Sequence, residues 1–200
     1  MSAHPTVRAR RRGRPPAASR EDVLAAALHA YLHGARIDVR AIAGELGLGR
    51  TTIYRWFGSR EALIGEVVVR AAEPLFDDAR AGARGGGGAA LLDTFDRINQ
   101  GLASAPALRS FLEVERDALR ILTSSGGPVH PRMVAKIQSY IEAETSRGFR
   151  PPVDPATLAY AIVRLAEAFL FNDAIAAVRG DVGRLRDIEA ALLGVPLPTR

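Results

Sequence analysis

Two hundred residues suffice for one medium domain, or for a small domain joined to a larger one, each with a core of its own. With 48% apolar and 24% charged residues, the composition excludes disorder over most of the chain. The absence of cysteine excludes disulfides, thiolate nucleophiles and cysteine-bound zinc, and fits a reducing compartment. Six arginines, Arg8, Arg10, Arg11, Arg12, Arg14 and Arg20, precede the first acid, Glu21, and carry more than the whole net charge of +5. The basic character therefore belongs to the start of the chain and points to a polyanion partner, of which nucleic acid is the commonest.

Residues 1–18 are rich in arginine and proline without apolar periodicity, and a disordered basic arm is expected there. No apolar run follows that basic start, so it does not read as a secretory signal. The longest apolar stretch, Leu158–Val178, is broken by Arg164, Glu167, Asn172 and Asp173, which lipid would penalise. No membrane partner and a cytoplasmic location are expected, and a single lysine, Lys136, among many arginines and alanines suggests a GC-rich bacterial genome.

Ser19 and Asp22 form a short capping box that starts a helix carrying Leu24, Leu28 and Tyr31 on one side and stopping at Gly34. Val39, Ile42, Ala43 and Leu46 then repeat at helical spacing behind the cap Asp38. Gly47, Leu48 and Gly49 make a turn into another short helix over Arg50–Phe57. Two short helices joined by a glycine-containing turn form a helix-turn-helix signature. Ser59 caps a longer helix with Ile64, Val68, Ala71 and Leu75 on one stripe. The run Gly85–Gly88 reads as a loop, followed by helices over about 89–104, 106–125, 131–147, 155–179 and 182–194, with Pro106, Pro131 and Pro155 in first turns that tolerate them. No period-two strand pattern occurs, so the expected fold is all-α: an N-terminal helix-turn-helix domain over 19–65 and a helical bundle over 66–200.

Within Arg50–Phe57, Ile53 and Phe57 are four apart and face a core, while Thr51, Tyr54 and Arg55 share the opposite, polar and basic side. Such a helix suits the width of the DNA major groove, although an ordinary solvated helix has the same pattern. The longer segment VRAIAGELGLGRTTIYRWFGSREAL (Val39–Leu63) resembles the DNA-binding domain of the TetR family of bacterial regulators, with Thr52, Ile53, Tyr54, Phe57, Glu61 and Leu63 at characteristic positions. The resemblance implies that Arg50, Thr51, Thr52, Tyr54, Arg55 and Trp56 face DNA from the recognition helix, and that Arg40 and Arg60 approach it from the neighbouring helices. Arg50, Thr51 and Arg55 are the base-edge candidates, Thr52 and Tyr54 the phosphate candidates, and Trp56 serves either role or packs. Gly49 departs from the polar cap common in the family, although glycine is an acceptable N-cap. Arg12-Gly13-Arg14-Pro15 resembles the core of an AT-hook, with Arg12 and Arg14 seeking the negative minor groove; a tail making only loose phosphate contacts reads equally well.

Farther on, Leu91, Phe95, Ile98 and Leu102 form one stripe. Leu108, Leu112, Glu115, Leu119 and Leu122 form another, with a carboxylate in its middle that must be paired, protonated or used. Glu115 either pairs with an arginine such as Arg164 or anchors a ligand. The family resemblance implies a small-molecule pocket lined by Phe95, Phe111, Glu115, Met133, Tyr140, Tyr160 and Phe169, each of which also reads as plain core. FLEVERDALRILTSSGG and LAYAIVRLAEAFLFNDAI resemble the regulatory domain of the QsdR-type branch, associated with lactone-type signals or their catabolism. The apolar segment Leu158–Val178, with Leu185, Ile188, Leu192 and Leu193, resembles the family's antiparallel four-helix dimer interface. The reading is thus a dimeric repressor of a palindromic operator, released by a small apolar effector and needing no cofactor. Two rivals are weaker. No Gly-x-Ser-x-Gly, phosphate loop or facing carboxylate pair marks an enzyme, and His29 with His33 supplies only two metal ligands. A non-specific architectural DNA protein would depend on the arm alone.

Overall fold

Local signals start the helices where the side chains demand it. In a computed structural model, which describes residues 18–171 and 181–196, the Ser19 hydroxyl accepts from the Asp22 backbone N–H, and the Asp22 carboxylate accepts from the Ser19 N–H at 2.7 Å. That reciprocal cap opens α1 (Arg20–Leu32) by satisfying two backbone donors that a helix start leaves bare. Asp38 caps α2 (Val39–Glu45) through the N–H groups of Arg40 (2.7 Å) and Ala41 (3.3 Å). The turn closes when the Leu48 N–H reaches back to the Ala43 carbonyl at 2.8 Å, with Gly47 at a positive φ of 63° that a side chain would strain. Then come α3 (Arg50–Phe57) and α4 (Arg60–Ala81), the latter capped by Ser59 through the Ala62 N–H at 3.0 Å.

The remaining helices are α5 (Gly87–Ser104), α6 (Pro106–Val114), α7 (Ala118–Thr123), α8 (His130–Ser146), α9 (Pro155–Phe171) and α10 (Val182–Leu192). No strand occurs among the described residues, in agreement with the all-α expectation. Two expected boundaries move. The glycine run does not all lie in a loop, because α5 begins at Gly87, whose N–H donates to the Glu144 carboxylate at 2.9 Å. A Cβ on Gly88 would stand 2.9 Å from the Leu193 carbonyl oxygen, so glycine there serves close packing against the end of α10. The single helix expected over 106–125 is broken at Glu115, whose extended backbone ends α6, and Leu119 is consequently thrown to the surface. Of the helix expected over 155–179, residues 172–179 lie outside the described residues.

Most of the buried apolar side chains fall into two clusters. The first joins α1–α4 with Leu108, Phe111, Ile121 and Leu122 of α6 and α7; the second gathers α5, α8, α9 and α10 around Leu91, Phe95, Ile141 and Leu158. Only α4 contributes a run to each: Leu63, Ile64, Val67 and Val68 to the first, Phe76 and Ala79 to the second. Each such side chain contributes about 1.5–3 kcal/mol on burial, so α4 is held along its whole length.

Two buried carboxylates bind distant helices. Glu115 accepts from Arg60 Nη2 at 2.5 Å while the same guanidinium donates to the Ile37 carbonyl at 3.0 Å, tying the start of α4 and the chain before α2 to the end of α6. Glu189 of α10, fully buried, accepts from the Asn99 amide nitrogen of α5 with both oxygens, at 3.0 and 3.2 Å.

These groups respond to pH with opposite sign. Burial pushes the Glu189 carboxyl from its ordinary 4.5 to about 8, opposed by the Asn99 hydrogen bond and assisted by Asp96. Between those values the unfolded chain releases a proton that the folded chain keeps, so this group's contribution is lost as pH rises through that window. The Arg60 hydrogen bond instead holds Glu115 below its ordinary value against its burial, so its contribution is present above 4.5 and lost as pH falls through the lowered folded value. Glu189→Gln is therefore expected to raise the melting temperature at about pH 8 and to match the parent at about pH 4. Glu115→Gln is expected to destabilise by about 2–3 kcal/mol near neutrality, with a smaller deficit in acid. Thermal melts of both variants at the two pH values check the signs, and shifts in one common direction would contradict this assignment.

Candidate nucleic-acid interface and internal cavity

The outward side of α3 is built by the burial of its opposite side. Ile53 is 1% and Phe57 8% exposed, and packing on α1, α2 and α4 fixes the helix even though its Gly49 cap offers no side-chain bond. The Arg20 guanidinium lies 4.3 Å above the Phe57 ring, closing the inner face. Arg50, Thr51, Tyr54 and Arg55 are exposed, and Thr52 and Trp56 half-buried. Arg40 projects from α2 into solvent as well.

Charge pairing separates these arginines from their neighbours. Arg20 pairs with Glu66, Arg70 with Glu21 and Arg120 with Glu61, whereas Arg40, Arg50 and Arg55 form no ion pair among the described residues. A cation left unpaired on a rigid helix retains its full attraction for a polyanion, and the attraction falls with salt. Trp56 packs its ring partly against the first cluster, so packing accounts for much of it. The Arg60 guanidinium, expected to approach DNA, faces Glu115 and the Ile37 carbonyl, with its side chain 22% exposed. Arg12 and Arg14 lie outside the described residues.

Between the two clusters lies a cavity of about 390 Å³. Its walls come from Tyr31 and Leu32 of α1, Val68, Ala71 and Leu75 of α4, Phe95, Ile98 and Asn99 of α5, Met133 and Ile137 of α8, Ile162 and Glu167 of α9, and Glu189 of α10. A largely apolar enclosure of this size with a few convergent polar groups has the form of a small-molecule site. Of the residues expected to line it, Phe95 and Met133 do so.

The other five are corrected. Phe111 packs against Tyr31 in a tilted ring pair with centroids 5.8 Å apart, in the first cluster. Glu115 pairs with Arg60 rather than with Arg164, and stands away from the cavity. Tyr140 is buried with its hydroxyl on the Phe76 carbonyl at 3.3 Å. Tyr160 is 48% exposed, against the His130 ring and the Arg164 guanidinium. Phe169 is core that does not reach the cavity. Arg164 itself donates to Glu167 at 2.7 Å and to the Thr123 carbonyl at 2.6 Å. His29 and His33 stack at 4.1 Å, with His33 Nδ1 on the His29 carbonyl, and among the described residues no three ligating side chains gather.

Sequence reasoning missed Asn99 and Glu189. The signal was present: Asn99 is four residues after Phe95, and Glu189 is four after Leu185 and four before Leu193, so both occupy core-facing positions on otherwise apolar stripes. Ile188, expected with Leu185, Leu192 and Leu193 at a dimer interface, is half-buried, and its neighbour Glu189 is fully buried.

Residues 86–194 match the family model of the tetracyclin repressor-like C-terminal domain, more than half of the chain. Among solved structures, the transcriptional repressor QsdR of R. erythropolis, from the TetR family, is 26% identical over 90% of this chain and 97% of that one, with a TM-score of 0.82. The TetR family repressor AlkX of Dietzia sp. strain DQ12-45-1b, implicated in biodegradation of n-alkanes, is 21% identical over 89% and 97%, with a TM-score of 0.58. A TetR transcriptional regulator of Rhodococcus sp. RHA1 is 19% identical over 86% and 97%, with a TM-score of 0.54; these last two share the fold. No curated protein matches the sequence. With a helix-turn-helix whose outward arginines are unpaired among the described residues, an apolar cavity between the two clusters and this family match over more than half of its length, the chain belongs to the TetR family of ligand-responsive, DNA-binding transcriptional regulators.

Proposed function

We propose that the protein acts as a homodimeric repressor that reads a palindromic operator with residues 19–65 of each subunit and is released by a small apolar effector held in the bundle over 66–200. One observation carries the release step: α4 supplies the wall of the cavity through Val68, Ala71 and Leu75 and, one to two turns away, core residues Leu63 and Ile64 beneath the DNA-binding helices. A ligand that moves the wall of this continuous helix also moves the platform on which α3 stands. A differential affinity of about 3 kcal/mol between the two positions changes DNA occupancy roughly a hundredfold.

In this reading Arg50, Thr51 and Arg55 address base edges, Thr52, Tyr54 and Arg40 hold phosphates, and Trp56 braces the helix at the groove edge. The N-terminal arm with Arg12 and Arg14 adds affinity and salt dependence. Dimerisation through α9 and α10 is supported by the outward side of those helices, where Tyr160 is exposed and Leu165, Ile188 and Leu192 are half-buried. Covering such a surface with a symmetric copy presents two recognition helices about one turn of DNA apart.

Selecting bound sequences from a random duplex pool is expected to return a palindrome, and an asymmetric consensus would discard the dimeric reading. On the selected site, Arg55→Ala or Thr51→Ala is expected to lose about 1–3 kcal/mol and to relax the preference at one base position per half-site. Arg40→Ala is expected to weaken all sequences alike and flatten the salt dependence. Fluorescence anisotropy titrations measure both; unchanged binding in the Thr51 and Arg55 variants would remove α3 from the interface. Deleting residues 1–18 is expected to lower affinity but preserve the preferred site, whereas an arm-driven architectural protein would lose binding altogether.

A further inference from the structure

Four polar side chains border the cavity among the described residues: Tyr31, Asn99, Glu167 and Glu189. Three of them are engaged. Asn99 donates to Glu189, and Glu167 is held by His130 Nδ1 and Arg164 Nη1, each at 2.7 Å. The Tyr31 hydroxyl has no hydrogen-bond partner among the described residues, although its residue is only 6% exposed. Among those residues, no side-chain oxygen or nitrogen sealed from solvent lacks a partner. This hydroxyl is therefore not sealed: it opens on free space, and the space that Tyr31 borders is the cavity. The ring is held from its other side by Phe111, with centroids 5.8 Å apart. Burial pushes the phenol from its ordinary 10 to about 12, with no hydrogen bond to oppose it, and near neutrality the group is an uncharged O–H donor.

We propose that Tyr31 is an effector-contacting residue whose hydroxyl donates to an accepting oxygen of the effector, as in a ketone or an ester, so that the first helix of the chain touches the effector directly. The proposal rests on the reading of the cavity as the effector site. An effector without such an oxygen would enclose the phenol O–H among hydrocarbon walls and leave it unpaired, which is costly. A group that only donates would leave the phenol proton unpaired as well. The contact also fixes orientation. The accepting oxygen lies at the seam where α1 meets α6, and the hydrocarbon part extends toward Phe95, Met133 and Ile162. Tyr31 shares α1 with Val23, Leu24 and Ala27, which lie in the same apolar cluster as Ile53 and Phe57 of α3. A hydrogen bond made at Tyr31 thus acts on the support of α3 without passing through α4.

Butyrophenone and butylbenzene share a carbon skeleton and differ by one carbonyl oxygen. The volume of about 390 Å³ holds on the order of a dozen non-hydrogen atoms at about 30 Å³ each, the size of both probes. Each is titrated calorimetrically with the full-length protein and with Tyr31→Phe, which keeps the ring against Phe111 and removes only the hydroxyl. The parent is expected to bind the ketone about fivefold to tenfold more tightly than the hydrocarbon, the value of one buried hydrogen bond. In Tyr31→Phe the two are expected to come within about twofold of each other, with the hydrocarbon bound no more weakly than by the parent. A merely structural role of the hydroxyl would instead weaken both probes alike. That outcome, a ketone preference that survives Tyr31→Phe, or no binding of the ketone to the parent would overturn the proposal. Operator titrations with butyrophenone keep the two readings apart. If the ketone binds in the Tyr31-dependent manner yet leaves operator affinity unchanged, the effector reading falls and the contact stands. If it releases the operator from parent and variant at the same concentration, the contact falls and the effector reading stands.

Discussion

The ion pair between Arg60 and Glu115 is the constraint on which the arrangement of the molecule depends. A carboxylate with a side chain only 2% exposed cannot remain bare, because desolvating it alone costs several kcal/mol. The guanidinium that satisfies it sits at the first residue of α4 and also holds the Ile37 carbonyl, so three chain segments meet at one point. Replacing both partners by apolar groups of similar size is often neutral for a buried pair, whereas removing one leaves the other charge buried and bare. What the pair defines here is where α4 starts relative to α6, and therefore where the helix that follows α3 is anchored.

From that anchor α4 runs through both apolar clusters and past the cavity. The cavity lined by residues from α1 to α10 is joined to the elements that hold α3 through the continuous helix α4, and its wall includes α1 itself through Tyr31 and Leu32. Close-packed interiors switch between arrangements rather than deforming smoothly. A molecule filling the space between the two clusters acts on the packing of each.

Electrostatics divide the protein in the same way. On the outward side of α2 and α3, Arg40, Arg50 and Arg55 form no ion pair among the described residues, while Arg20, Arg60 and Arg70 are paired. In the cavity the asymmetry reverses, with acids and no cations. The unpaired arginines on the exposed surface attract a polyanion over the screening length of the solution.

Much of the fold was legible in the residues alone. Caps at Ser19, Asp38 and Ser59, the glycine turn and the 3.6-residue repeats are local, each depending on neighbours within one helical turn, and these placed α1–α4 and the outward side of α3. The cavity was less legible: only Phe95 and Met133 of seven named residues line it. Periodicity tells which side chains point inward, but not whether they meet another side chain or an empty space. The break at Glu115 escaped the pattern because its cause, Arg60, lies 55 residues away, and the partner of Glu189 lies 90 residues away. The sequence by itself determined α1–α4, the caps at Ser19, Asp38 and Ser59 and the outward side of α3, because backbone donors and apolar periods act over a few residues. The tertiary structure alone decided that Arg60 pairs with Glu115, and which groups line the cavity, because charge pairing and enclosed volume depend on segments brought together only by folding.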